Sequence, residues 1–246
     1  MSVEAIPAAA PTEKVTGSGR VAIVAALDRE VRPLVRNWPG RVREFAGRRF
    51  EVFEEKGAVV ICGGIGAEAA RRAAEAVISL YGPQKIISAG FAGALAASLK
   101  VGDIFVARYI VDVADGSSFD TGTGDGRLVS FASVANREQK EKLARAYDAQ
   151  AVDMEAAAVA RCAEIHGLEF LAVKAISDEK DATLAEITRF IEHGQIRLGP
   201  FLIFMTVRPW LWPGLFRLAR QSAKASQALR RSLNHHLAAA SLQERN

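Results

Sequence analysis

Ala58-Val59-Val60-Ile61-Cys62-Gly63-Gly64-Ile65-Gly66, continued by AEAARRAAEAVISL over residues 67–80, reads as strand, turn and helix in succession. Five apolar residues in a row suit a strand buried on both faces, as in a parallel sheet. The glycines allow a tight bend between strand and helix, and the backbone amides there, Gly66 among them, offer a cradle for an anion. Tyr81-Gly82-Pro83 then stops the helix. The same alternation continues on both sides. RVAIVAAL at 20–27 is a second buried strand, and residues 85–89 form a third that breaks at Gly90-Phe91-Ala92-Gly93.

Residues 48–54 alternate apolar and polar side chains as a less buried strand. Residues 103–113 read as one long strand, 114–126 as a glycine- and aspartate-rich loop, and 136–147 as a charged surface helix. An Ala-rich helix over 154–165, a central strand over 170–176 and a helix over 184–193 complete the pattern. Strands alternating with helices predict an α/β fold: one domain, three layers α/β/α, around a mixed, mostly parallel sheet. The expected organisation is an N-terminal flexible arm (1–19), a catalytic domain (20–197) and a basic amphipathic helical extension (198–246).

Composition narrows the classes. Half of the 246 residues are hydrophobic and 24% are charged, which excludes a disordered chain. The start lacks the basic and apolar regions of a signal peptide, so a cytoplasmic protein is expected. Cys62 and Cys162 sit in apolar segments without framework spacing and read as reduced core residues. The four histidines show no ligand spacing, so neither a metal nor another cofactor is expected.

The net charge of +4 is unevenly spread. No acid occurs between His193 and Gln243, where seven basic residues lie, leaving 25 basic against 28 acidic groups elsewhere. On a helix, Arg217, Arg220, Lys224 and Arg231 share one face and Leu218, Ala225, Leu229 and Leu233 the other. With Trp210 and Trp212 nearby, this pattern fits a peripheral membrane helix. It equally fits a terminal helix covering the domain or a dimer interface. Nothing resembles a module that reads nucleic acid.

Three carboxylates fall where chemistry is expected. Glu30 and Asp178 each follow a strand, and ligands of open α/β sheets bind at the carboxyl ends of strands. On position alone, caps or surface acids are the simpler reading. Glu155 precedes five small apolar residues, where a charge needs a partner. The helix dipole or a ligand hydroxyl would each serve.

A resemblance separates these readings. Val152-Asp153-Met154-Glu155-Ala156-Ala157-Ala158 resembles the ribose-binding motif of methylthioadenosine/S-adenosylhomocysteine nucleosidases and their phosphorylase relatives. Ala175-Ile176-Ser177-Asp178 is similar to that family's purine-side motif, and Leu27-Asp28-Arg29-Glu30-Val31 to its water-activating segment. The glycine turns at 63–66 and 90–95 and KVGD at 100–103 follow in the family order.

The resemblance implies a phosphorylase-like fold, a homodimer and cleavage of the bond between ribose and a purine, with adenine the expected base. Asp178 would be the general acid to the departing base, which requires a protonated carboxyl when substrate is bound. Glu155 would hold the ribose hydroxyls, Glu30 would polarise water, and Met154 would form an apolar wall under the sugar. Ser177, Val134 and Ala135 would line the base side. Three positions depart from the family pattern. Ser88 stands where phosphorolytic relatives place a phosphate-binding Arg, Phe91 where the family has Ser, and Lys174 where an Arg is common.

Loss of the Arg favours water over phosphate as the co-substrate. Two alternatives remain at this point. One is a phosphorolytic, hopanoid-associated enzyme acting on an adenosyl lipid at a membrane surface. The other is an inactive nucleoside-binding sensor.

Overall fold

The computed structural model describes residues 20–180, 191–192, 195–196 and 212–243, with side chains over 20–180 and 219–240. Thirteen strands and five helices are defined among the described residues. The expected N-terminal arm, Trp210 and residues 184–190 of the expected helix lie outside them, while Ile191–Glu192 pairs with Gln195–Ile196 as a short strand hairpin instead.

β1 (Val21–Ala25) is buried at every position because it lies between β4 (Ala58–Cys62) and β5 (Lys85–Ala94), parallel to both. Helices cover both faces, so no residue of β1 meets water and the run is apolar throughout. On one face sit α2 (Ala67–Tyr81) and α4 (Ala156–Ile165), whose alanines pack against each other and the sheet. Small residues there allow close approach. A Cβ on Gly63 would come within 2.7 Å of the Ala73 Cβ and 2.9 Å of the Ala69 carbonyl. Gly82, in the left-handed conformation, ends α2 by donating to the Ile78 carbonyl. Cys162 is buried under this layer and Cys62 half-buried, and both are free thiols.

The opposite face carries α1 (Asp28–Val35) and α5 (Trp212–Gln243). Ala225, Leu229 and Leu233 of α5 are fully buried against Val31, Leu34 and Val35 of α1 and Leu171 and Val173 of the sheet. Of the two readings of the tail, the described part of α5 fits the helix that covers the domain, while residues 198–211 and the side chains of Trp212, Arg217 and Leu218 lie outside the described residues. Among the described side chains, Ala225, Leu229 and Leu233 of the apolar stripe are spent on the protein core, and the stripe bearing Arg220, Lys224 and Arg231 faces outward. No helix among the described residues is long and apolar enough to cross a membrane.

β2 (Gly40–Phe45) and β3 (Arg48–Glu55) form an edge hairpin whose turn uses Ala46 and Gly47 at φ 48° and 72°. β2 carries three charges and exposes Val42, so it has no apolar run to betray it. The strand expected over 103–113 is two strands, β6 (Ile104–Val106) and β7 (Tyr109–Asp112), because β6 pairs with β11 while β7 pairs with β8 and β9. The following loop contains β8 (Ser118–Asp120) and leads to β9 (Arg127–Ser130).

The centre of the sheet sets up the site. β11 (Glu169–Asp178) runs parallel to β5 until a bulge between Ile176 and Asp178, which brings Asp178 opposite Gly93. On its other side Gly93 pairs with Val152 of β10 (Ala151–Asp153), antiparallel. The sheet therefore forks at Gly93, with α3 (Arg137–Tyr147) close beside the fork.

Candidate active site

A cavity of about 180 Å³ opens at this fork, at the carboxyl ends of β1 and β5 and beside the N-terminus of α4. Glu30, Phe91, Val134, Ala135, Met154, Glu155, Ser177 and Asp178 all line it. Of the residues expected from sequence, Gly66 is absent from the wall. Its N–H instead donates to Glu155 Oε1 at 2.8 Å. The acidic group that this turn meets at Gly66 is thus the protein's own Glu155. Gly63 and Gly64 donate to the carbonyls of Ala25 and Ala26, both at 2.9 Å, so three amides of the turn already have acceptors.

Each carboxylate is anchored by local backbone. Glu30, 5% exposed, sits in the first turn of α1 and reaches back to accept from the Leu27 N–H at 3.0 Å. Burial pushes its carboxyl up from the ordinary range, against the opposing pull of the Leu27 N–H and the Lys174 charge. Gly90 lies against it, since a Cβ there would approach Glu30 Oε2 to 3.1 Å.

Glu155 is the N-cap of α4, and its carboxyl accepts from Gly66 and Met154 N–H groups. Part of the residue faces the cavity, yet its carboxyl is enclosed enough that burial pushes it up to about 7. The neighbouring Asp153 charge adds to the rise, while Lys174 opposes it.

Behind this wall lies a buried polar network. Asp153 accepts from Ser130 Oγ at 2.6 Å and from the Ala156 N–H at 2.9 Å, and pairs with Lys174 Nζ at 2.8 Å. Ser130 Oγ also accepts from the Ala157 N–H, so Ser130 and Asp153 together fasten the start of α4. Burial alone would depress Lys174, but the charges of Asp153, Glu155 and Glu30 outweigh it and raise it. Ser88 is buried and points at Lys174 rather than into the cavity.

Asp178 is held on both oxygens. Ser177 Oγ donates to Oδ1 at 2.7 Å, and Lys140 Nζ contacts Oδ2. Sequence reasoning missed Lys140, because α3 reads as charged on every side. Its i,i+4 pairs Glu138–Lys142 and Arg137–Glu141 do lie outward, whereas Lys140 is 2% exposed. Asp153 and Ser222, on β10 and α5, also reach the cavity without having been singled out as site residues.

Curated relatives align over about two thirds of the chain. An aminodeoxyfutalosine nucleosidase of Helicobacter pylori is 27% identical over 200 residues, covering 66% of this chain and 86% of the relative. A 5'-methylthioadenosine/S-adenosylhomocysteine nucleosidase of Treponema pallidum is 26% identical over 227 residues, covering 67% and 84%. Among solved structures, the native futalosine hydrolase of Helicobacter pylori superposes with a TM-score of 0.66 at 18% identity, covering 92% of this chain and 97% of that one. That likeness bears on the fold. The family model of the phosphorylase superfamily matches residues 20–136 and 123–202, and the chain belongs to that superfamily.

Proposed function

We propose that the protein is a nucleosidase, hydrolysing the N-glycosidic bond of an adenine ribonucleoside modified at its 5′ position. The carrying observation is that Glu30, Glu155 and Asp178, from three distant segments, line one cavity. As the bond breaks, the sugar gains positive charge and the base negative charge. Asp178 protonates the base at N7. Glu155 accepts hydrogen bonds from the ribose hydroxyls and faces the cationic sugar with its charge. Glu30 polarises the attacking water, and burial, by raising its carboxyl above the ordinary range, makes it a stronger base than a solvated carboxylate. Met154 packs under the sugar, and Val134 and Ala135 flank the base.

Water is favoured over phosphate on two grounds. The amides of Gly63, Gly64 and Gly66 are committed to protein acceptors, and Ser88 is turned into the core. The relatives reported above are named as nucleosidases, which also weakens the phosphorolytic adenosyl-lipid alternative. A binding-only sensor has no use for a buried carboxylate held beside the sugar site. The test is mass spectrometry of products from a panel of purine nucleosides, with and without phosphate. Free adenine and free sugar in phosphate-free buffer are expected. A sugar 1-phosphate formed only with phosphate present overturns hydrolysis, and binding without any product overturns the enzyme reading.

A further inference from the structure

Lys140 has no task in the reading just given, yet its placement is unusual for a lysine on a solvated helix. α3 begins with reciprocal bonds between Asn136 and Gln139, and this cap orients the first turn so that Lys140 points inward with Leu143. Its Nζ contacts Asp178 Oδ2 and donates to the Glu179 carbonyl at 2.8 Å. Both Lys140 and Asp178 line the cavity. Gly93 makes room for them: a Cβ there would stand 3.0 Å from Asp178 Oδ2 and 3.3 Å from Lys140 Cε. Taking an ammonium out of water is costly, and an apolar side chain of similar length would fill the same space without that cost. The charge is therefore the feature to explain.

We propose that Lys140 is a positioning residue for glycosidic cleavage, acting through Asp178; the proposal rests on the nucleosidase reading. When the C1′–N9 bond breaks, its electron pair goes to the base, and the Asp178 proton passes to N7. The donor is left as a carboxylate. Lys140 is already in contact with it and stabilises that charge without any rearrangement at the moment of transfer. With Ser177 on the other oxygen, Lys140 also holds the carboxyl group in one orientation.

The test compares two leaving groups in the full chain. One substrate is an adenine ribonucleoside; the other is a 7-methylpurine ribonucleoside, whose base departs without a proton at N7. Lys140→Met should lower kcat on the first by roughly 10²-fold, the scale of general-acid assistance, with KM changed by less than about threefold. On the 7-methyl substrate the loss should stay within about threefold, since no donor has to be left charged. A second readout needs no modified base: Lys140→Ala should regain turnover when a small alkylammonium is added, and Asp178→Asn should not. Circular dichroism melts establish that each variant is folded. Equal losses on the two substrates, unchanged kcat on the adenine nucleoside, or no rescue of the folded Lys140→Ala protein overturns the proposal. If the unmodified protein cleaves neither nucleoside, the nucleosidase reading itself fails, a result distinct from these.

Discussion

Ser88 and Lys174, 86 residues apart in the chain, meet in the core with Lys174 Nζ donating to Ser88 Oγ at 2.9 Å. These are two of the three positions that the resemblance marked as departures, and the structure places them in contact. A shorter, single cation at 174 leaves a donor that a small hydroxyl at 88 satisfies, and a long basic side chain at 88 would meet Lys174 head-on. In this chain the two positions share one hydrogen bond.

That contact belongs to a costly network, and its removal has a predictable sign. Lys174→Met leaves Asp153 buried without its cation and should destabilise the fold by about 3–5 kcal/mol. Ser88→Ala removes one hydrogen bond and should cost about 1 kcal/mol. Urea unfolding of both variants measures the difference. A Lys174→Met protein as stable as the parent would mean that Asp153 and Glu155 are hydrated rather than paired.

Asp178→Asn should reduce kcat by roughly two to four decades, the usual scale for a positioned general acid. Substrate affinity should suffer less, because the amide still reaches the base. Release of free adenine, followed under saturating nucleoside, is the measurement. Near-parental turnover would remove Asp178 from the role of acid.

Glu155 links activity and stability to pH. Its carboxyl titrates at about 7 in the folded protein, against an ordinary value of 4.5. Between those values the folded state binds more protons than the unfolded chain. Stability should therefore fall as pH rises from about 4.5 to about 7 and level off above. Accepting both ribose hydroxyls requires the carboxylate, so kcat/KM should climb as pH rises through about 7. Glu155→Gln should remove the contribution of this group to both trends, and 2′-deoxynucleosides should be poor substrates of the parent. Thermal melts and rate profiles across pH 4–9 test these together, and equal rates on ribo- and deoxyribonucleosides would count against the hydroxyl contact.

Gly93→Ala should injure activity more than folding. The added methyl lies 3.0 Å from Asp178 Oδ2 and 3.4 Å from Val152 Cγ1, and a side-chain shift can relieve it only by moving the Asp178–Lys140 pair. A displacement of this size in a reacting group can cost about 10²-fold in rate. The fold should lose only about 1–3 kcal/mol, as for other overpacked sites. Comparing kcat with the denaturation midpoint separates the two effects.

Leu229→Ala probes the long C-terminal helix. Leu229 is fully buried between α1 and the sheet, so truncation should cost about 2–5 kcal/mol. Replacing the outward Arg220, Lys224 and Arg231 by Gln should leave stability within about 0.5 kcal/mol of the parent. Since Ala225, Leu229 and Leu233 are occupied by the core, vesicle sedimentation should show no binding to neutral lipid. Any binding to anionic vesicles should disappear at high salt. Retention on neutral vesicles would mean that the helix leaves the core at a bilayer.

The sequence by itself determined the α/β class, the buried strands within 20–27, 58–62 and 85–89, and the three carboxylates that share the cavity, while β5 runs on through the expected break at Gly90–Gly93 to Ala94. Period and composition report burial directly: a strand covered on both faces is apolar at nearly every position. Shorter and more polar pieces stayed hidden. β2 is charged, β10 has three residues, and 103–113 is divided by which neighbours each half pairs with, a property of other segments of the chain. α5 showed its two faces in sequence, but an amphipathic pattern looks the same whether the partner is lipid or protein. Only the tertiary structure decided that the partner is α1 and the sheet. It likewise decided that the amides of Gly63, Gly64 and Gly66 are taken by Ala25, Ala26 and Glu155, and that Lys140 reaches Asp178 across 38 residues of chain. One lysine among the charges of a surface helix carries no local mark of burial. Its environment is made by the bulge at Ser177 and the missing side chain at Gly93, which act through space and not along the sequence.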